Sequence, residues 1–291
     1  MASIKVEENL NDDDNNNNHL NPIEECNDSL DFELDCTQHH IDTDGKNYHS
    51  SYLVYVAVLC AQMSSITMGC TFGWSSPALE DMDNWSESKF RPSGNQVNWI
   101  ASTLLLGALF GAMVCGICMD IFGRKKTLIG IGIPYAIGWI MIGFTNSFVT
   151  ILIGRLTTGL SLGITTAVLP TYVAEISTPN IRGLLGMSFN FFVVFGVVYM
   201  NIIYIFNFHW NQLALWALLP NGLLMITMFF MPESPSWCVN KIKDRNVGTE
   251  RAIESLKRLR STKSDITAEL NALIENANRL NNTPKKKYAV Q

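Results

Sequence analysis

The residues of this chain that could do chemistry are charges set at the ends of long apolar runs. Asp120 precedes Arg124, Lys125 and Lys126, Glu175 precedes Arg182, and Glu233 stands between Pro232 and Pro235. One further cation, Arg155, falls inside an apolar run. None of these groups is arranged for covalent chemistry. The runs contain no paired carboxylates, no Ser-His constellation and no metal-ligand cluster, and His209 stands apart. Cys115 and Cys118 form a C-x-x-C with neither a second pair nor a histidine beside it. Cysteines within apolar runs act as small hydrophobes. The expectation is a protein that is not an enzyme and has no cofactor, metal or nucleic-acid partner. Opposite charges at helix ends can, however, pair reversibly. Asp120 with Arg124, and Glu175 with Arg182, could hold helices together in one conformation and release them in another. The same cations also set topology and meet lipid headgroups.

The elements that must position these charges are membrane helices. The chain is 47% hydrophobic and 16% charged, against about 25% charged in soluble domains. Most charges lie in 1–49 and 232–291, and six apolar windows separate those ends: 52–73, 97–119, 127–145, 148–173, 184–206 and 213–231. A helix crossing the bilayer core needs about 20 such residues. Barrel strands would be shorter and would alternate in polarity. Polar or turn residues bound the windows, as Ser75, Ser76 and Pro77 do after the first. This predicts an all-α integral membrane protein with three parts. Residues 1–49 form a disordered acidic tail that cannot bury enough apolar surface to order itself. Residues 50–231 form a six-helix transmembrane domain. Residues 232–291 carry two amphipathic helices: 249–260 places Ala252, Ile253, Leu256 and Leu259 on one face with charges opposite, and 265–280 repeats the pattern with Ile266, Leu270, Leu273, Ile274 and Ala277.

Lysine and arginine set the orientation. One side receives Arg124, Lys125, Lys126, Arg182 and twelve further cations from Lys241 to Lys287, whereas the other receives only Lys89 and Arg91. The positive-inside rule then puts both termini in the cytoplasm. Asn84-Trp85-Ser86 becomes an N-glycosylation sequon on the outside, and those at Asn27 and Asn281 stay unmodified. Small residues recur at helix-contact spacing in Gly107-x-x-x-Gly111, Ala112-x-x-x-Gly116 and Gly159-x-x-x-Gly163. Arg155 costs about 2.5–3.5 kcal/mol within a span, so it should face the interior or snorkel outward. The windows offer it no carboxylate, which leaves backbone or residues outside this chain as partners.

Four motifs in order complete the reading. Asp120-Ile121-Phe122-Gly123-Arg124-Lys125-Lys126 follows the second window, and Gly154-Arg155 opens the fourth. Pro170-Thr171-Tyr172-Val173-Ala174-Glu175-Ile176 closes the fourth ahead of Arg182-Gly183, and Pro232-Glu233-Ser234-Pro235 follows the sixth. Over residues from about 50 to 280 the set resembles the sugar-porter branch of the major facilitator superfamily, and within it insect facilitated trehalose transporter-like proteins. The resemblance implies the six-helix N-terminal half of a major facilitator fold, with a cytoplasmic helical bundle after it. It implies facilitative uniport of a sugar such as trehalose or a hexose, by alternating access, in the plasma membrane.

The resemblance also implies site residues. Asp120, Arg124, Lys125, Arg155, Glu175, Arg182 and Glu233 form a gating network. Asn190 takes the place of a fifth-helix Gln that meets sugar hydroxyls; its amide is one methylene shorter. Val193 and Val197 share its helical face, and Thr166 matches a pore-lining position. Thr71 stands where proton-coupled members resemble Gly-Tyr-Asp, and Ser236 stands where the family usually has Arg. Six more helices are expected, yet the sequence ends after Lys285-Lys286-Lys287. It reads as a truncated product, or as a short form that pairs with itself or with a complementary half. The competing reading is a non-transporting half acting as sensor, regulator or dominant-negative partner.

Overall fold

The computed structural model describes residues 51–84, 92–145, 147–241, 245–260 and 266–282, and its elements are α-helices. Six helical spans are long and apolar enough to cross a membrane among the described residues. Helices α1 (Tyr52–Gly73) and α2 (Ser75–Asn84) build the first. The second is α3 (Gly94–Phe122), and the third joins α4 (Arg124–Gly130) to α5 (Gly132–Phe144). The fourth is α6 (Phe148–Ile176), and the fifth is α7 (Pro179–Ile205). The sixth joins α8 (Trp210–Trp216) to α9 (Leu218–Phe230). Three helices follow: α10 (Pro235–Lys241), α11 (Arg245–Leu259) and α12 (Ile266–Asn282).

The first span corrects the expected boundary. It runs from Tyr52 to Met82, straight through Ser75, Ser76 and Pro77. Only Trp74 interrupts it, and the Ala78 N–H donates to the Trp74 carbonyl at 3.1 Å. Pro77 falls in the first turn of α2, where a missing N–H and a fixed φ are tolerated. Pro179 starts α7 for the same reason, as its first residue.

Two crossings organise the bundle. At the first, α3 meets α6 through glycines. A Cβ on Gly111 would lie 2.1 Å from the Leu160 carbonyl oxygen, and one on Gly163 would lie 2.0 Å from that of Ala108. Side chains there would force the backbones apart, and in lipid close backbone contact is what holds helices together. Gly116 takes no part, since a Cβ there meets nothing within 4 Å. The second crossing, α1 on α7, was not anticipated. A Cβ on Gly69 would come 2.1 Å from the Val193 carbonyl oxygen, and one on Gly196 would come 2.2 Å from that of Ile66.

Buried side chains form two large clusters along the bundle. One gathers Trp74, Tyr135, Trp139 and Trp210, and the other gathers Val54, Leu128, Tyr172 and Met228. In contrast, α3 and α7 leave Leu109, Phe110, Met113, Phe191, Val194 and Phe195 exposed.

Helices α10, α11 and α12 pack on one another through Cys238, Ala252, Leu256 and Leu270. They attach to the spans at Arg260, which is buried. Its Nε and Nη2 donate to Glu269 at 2.9 and 2.6 Å, and its Nη1 donates to the Ile176 carbonyl at 2.9 Å. The Ser51 N–H donates to the Leu259 carbonyl at 3.1 Å, which joins α11 to the start of α1 as well.

Candidate functional site

Four of the charges singled out in the sequence, Arg124, Lys125, Glu175 and Glu233, meet where the turn between α3 and α4, the end of α6 and the segment after α9 converge. Gly123 makes the turn with φ +90°, and a Cβ there would lie 2.7 Å from a Glu233 carboxylate oxygen. Glycine is required on both counts. Glu233 Oε1 accepts from the backbone N–H groups of Lys125 at 2.8 Å and Ser234 at 3.1 Å. Burial raises the Glu233 pKa above its ordinary value; these N–H groups and the Lys125 charge offset the rise only in part.

Arg124 reaches across to the fourth span. Its Nη2 and Nε donate to Glu175 Oε1 at 2.8 and 3.1 Å. The Ser234 hydroxyl donates to the other Glu175 oxygen. Lys125 Nζ donates to the Phe229 carbonyl at 2.8 Å, Trp237 Nε1 to that of Asp120 at 3.2 Å, and the Tyr172 hydroxyl to that of Pro232 at 2.9 Å. The sequence pattern suggested Glu175 with Arg182. Instead Glu175 holds Arg124 and Ser234, and Arg182 Nε is buried without a hydrogen-bond partner. Ser234 was missed, because a serine between two motif residues carries no signal of its own. The network joins the second, third and fourth spans to the segment following the sixth.

Arg155 occupies the bundle interior rather than snorkelling, and is fully buried. Its Nη1 donates to the Thr71 carbonyl at 3.1 Å, and its Nη2 donates to the Ser75 hydroxyl. Its guanidinium lies 4.3 Å from the centre of the Trp74 ring. A cation held by a carbonyl, a hydroxyl and an aromatic face satisfies part of its hydrogen bonding without a carboxylate; Nε has no hydrogen-bond partner.

The five substrate positions fall in different settings. Asn190 and Thr166 are exposed, and the Thr166 hydroxyl donates to the Gly163 carbonyl at 2.7 Å. Val193 and Val197 are half-buried, with their backbones against Gly69 and Gly73 of α1. Thr71 is fully buried and donates its hydroxyl to the Thr67 carbonyl at 2.9 Å. Thr71 therefore offers its carbonyl to Arg155 and no side-chain group to an open face. Two part-buried links escaped the sequence reading. Gln62 donates to the Ser188 hydroxyl at 2.7 Å and joins α1 to α7. Asp81 accepts from the Trp210 N–H at 2.9 Å and joins α2 to α8. Asn84 ends α2, and the rest of its sequon lies outside the described residues, as do the 1–49 tail and Lys285–Lys287.

The family model described as "Sugar (and other) transporter" matches residues 57–289. The chain belongs to this family. Among its relatives, the facilitated trehalose transporter Tret1 of Apis mellifera ligustica is 31% identical over 218 residues, covering 75% of this chain and 42% of that protein. Tret1 of Polypedilum vanderplanki is 29% identical over 227 residues, covering 77% of this chain and 43% of its own length. The facilitated glucose transporter member 8 of solute carrier family 2 from Mus musculus is 30% identical over 190 residues, 65% of this chain and 39% of its own. The chain thus spans about two fifths of the length of these curated relatives. In fold it matches the major facilitator superfamily proton:xylose symporter XylE bound to 6-bromo-6-deoxy-D-glucose. The TM-score is 0.71 at 18% identity, over 80% of this chain and 55% of that one. An inward-open XylE from E. coli matches with TM-score 0.66. This member of the family is an N-terminal half of the major facilitator fold and not an enzyme.

Proposed function

We propose that the chain is one half of a facilitative sugar transporter that works by alternating access, without coupling to protons. The carrying observation is Arg155 with its neutral partners. Where proton-coupled members resemble Gly-Tyr-Asp, this chain has Gly69-Cys70-Thr71, and Thr71 supplies a carbonyl to the cation. Proton coupling needs a group that binds and releases a proton within the cycle, and a buried carboxylate suits that because burial raises its pKa. In the described spans, carboxylates occur only near the ends: Glu80, Asp81, Asp120 and Glu175. The relatives that carry "facilitated" in their names, for trehalose and for glucose, support the same reading.

In this account Asn190 bonds sugar hydroxyls, beside Thr166, Val193 and Val197. Arg124, Glu175, Ser234, Glu233 and Lys125 form the latch that closes one side, with Asp120 and Arg182 beside it. The latch side is cytoplasmic, both termini lie there, and the membrane is the plasma membrane. Residues 1–49 and 232–291 flank the transmembrane domain on that side. A complementary six-helix half, or a second copy, completes the midplane site. The test is uptake of radiolabelled trehalose and glucose into proteoliposomes holding this chain alone or with a complementary half. Saturable uptake of one sugar above protein-free vesicles is expected in at least one arrangement. Its absence in both would overturn the reading.

A further inference from the structure

Two cavities meet at Lys126. The first, of about 280 Å³, opens between α4 and the helices after the sixth span, with Lys125, Lys126, Arg251 and Arg258 on its walls and Trp237 as a flat side. Its two carboxylates are engaged already. Glu233 takes the Lys125 and Ser234 N–H groups, and Glu254 pairs with Arg258 at 3.4 Å. Lys125 is committed to the Phe229 carbonyl. Among the described residues, the side chains of Lys126 and Arg251 have no carboxylate ion-pair partner.

The second cavity, of about 290 Å³, is a largely apolar groove where α3, α4, α5 and α6 meet. Cys118, Phe122, Thr127, Gly130 and Pro134 line it, with Lys126 at one end. From Lys126 to Pro134 the third span rises about 12 Å, most of a leaflet whose hydrocarbon depth is about 15 Å. Nothing fills the groove at Gly130, where a Cβ meets no atom within 4 Å.

We propose that the two cavities form one site for an anionic glycerophospholipid. Its phosphate lies on Lys126 and Arg251, and an acyl chain runs along the groove below. A free phosphate would use only the basic cavity, and a zwitterionic lipid would leave its cations without net compensation. The shared lysine selects a ligand with both parts. Occupancy would bind α11 to the third span beside the Arg124–Glu175 latch and so bias the equilibrium between conformations.

The test is intact-complex mass spectrometry of the full chain in detergent, titrated with dioleoyl phosphatidate, dioleoyl phosphatidylcholine or glycerol 3-phosphate. One phosphatidate per chain should bind at a concentration at least tenfold below that for phosphatidylcholine. The double variant Lys126→Gln, Arg251→Gln should lose at least tenfold for phosphatidate and leave phosphatidylcholine unchanged. Gly130→Phe, which fills open space, should weaken both lipids while melting like the parent. Equal affinity for the two lipids would overturn the proposal, as would unchanged binding in both variants. Glycerol 3-phosphate binding as tightly as phosphatidate would assign a free phosphate instead. Loss of phosphatidate on adding a complementary half would assign the groove to a protein partner.

Discussion

Breaking the Arg124–Glu175 pair should change transport far more than it changes folding. The pair is short, 2.8 Å, and its side chains are 16% and 17% exposed. It therefore lies between an exposed pair, worth about 0–1 kcal/mol, and a buried one, whose breakage costs about 3–5 kcal/mol. Removing Arg124 leaves Glu175 with the Ser234 hydroxyl, so the charge retains a donor. A cost of about 1–2 kcal/mol follows, a factor of roughly 5–30 in an equilibrium constant. A pair made in only one end state shifts the balance of states by that factor. The assay is initial influx and efflux at equal surface level for Arg124→Gln, Glu175→Gln and the double variant, in the protein completed by its other half. The two directions should change unequally, and the double variant should be no worse than the worse single one. Normal rates in both directions, or additive losses, would reduce the two residues to topology signals.

The helix crossings give a paired prediction. Gly163→Ala should lower the melting temperature, because its Cβ would lie 2.0 Å from the Ala108 carbonyl oxygen, whereas Gly116→Ala faces open space and should melt at or above the parent. The expected loss at Gly163 is about 1–3 kcal/mol, and equal melting of both variants would refute the crossing. Glycosidase should shift the band of the chain made in glycosylating cells, and Asn84→Gln should abolish the shift. An unshifted band, alongside a control transporter that does shift, counts against the proposed orientation.

The spans were legible because twenty apolar residues leave a chain few alternatives to a membrane helix. Their ends were less so. Pro77 reads as a terminator in the sequence, yet in the first turn of α2 it is compatible with a continuing helix. The α3–α6 crossing was visible in Gly107, Gly111, Gly159 and Gly163. The α1–α7 crossing was half visible: Gly69-x-x-x-Gly73 has the same spacing on α1, but Gly196 on α7 has Phe192 and Met200 four residues to either side and shows no repeat. Arg124 was visible as a charge at an inner helix end, but its partner was not. Sequence proximity favoured charges in the same turn, whereas the fold brings Glu175 from 51 residues away. Arg155 shows the same limit, since backbone carbonyls such as that of Thr71 are acceptors at every residue and carry no mark in the sequence.

Whether sugar moves without protons is the most direct test of facilitated transport by this protein. Proteoliposomes holding the chain with its complementary half would be loaded with an imposed pH gradient, and internal sugar followed to steady state. Internal sugar should rise to the external concentration and stop there, at the same level with the gradient, without it, or with a protonophore. Accumulation above the external concentration that collapses on adding the protonophore would contradict it.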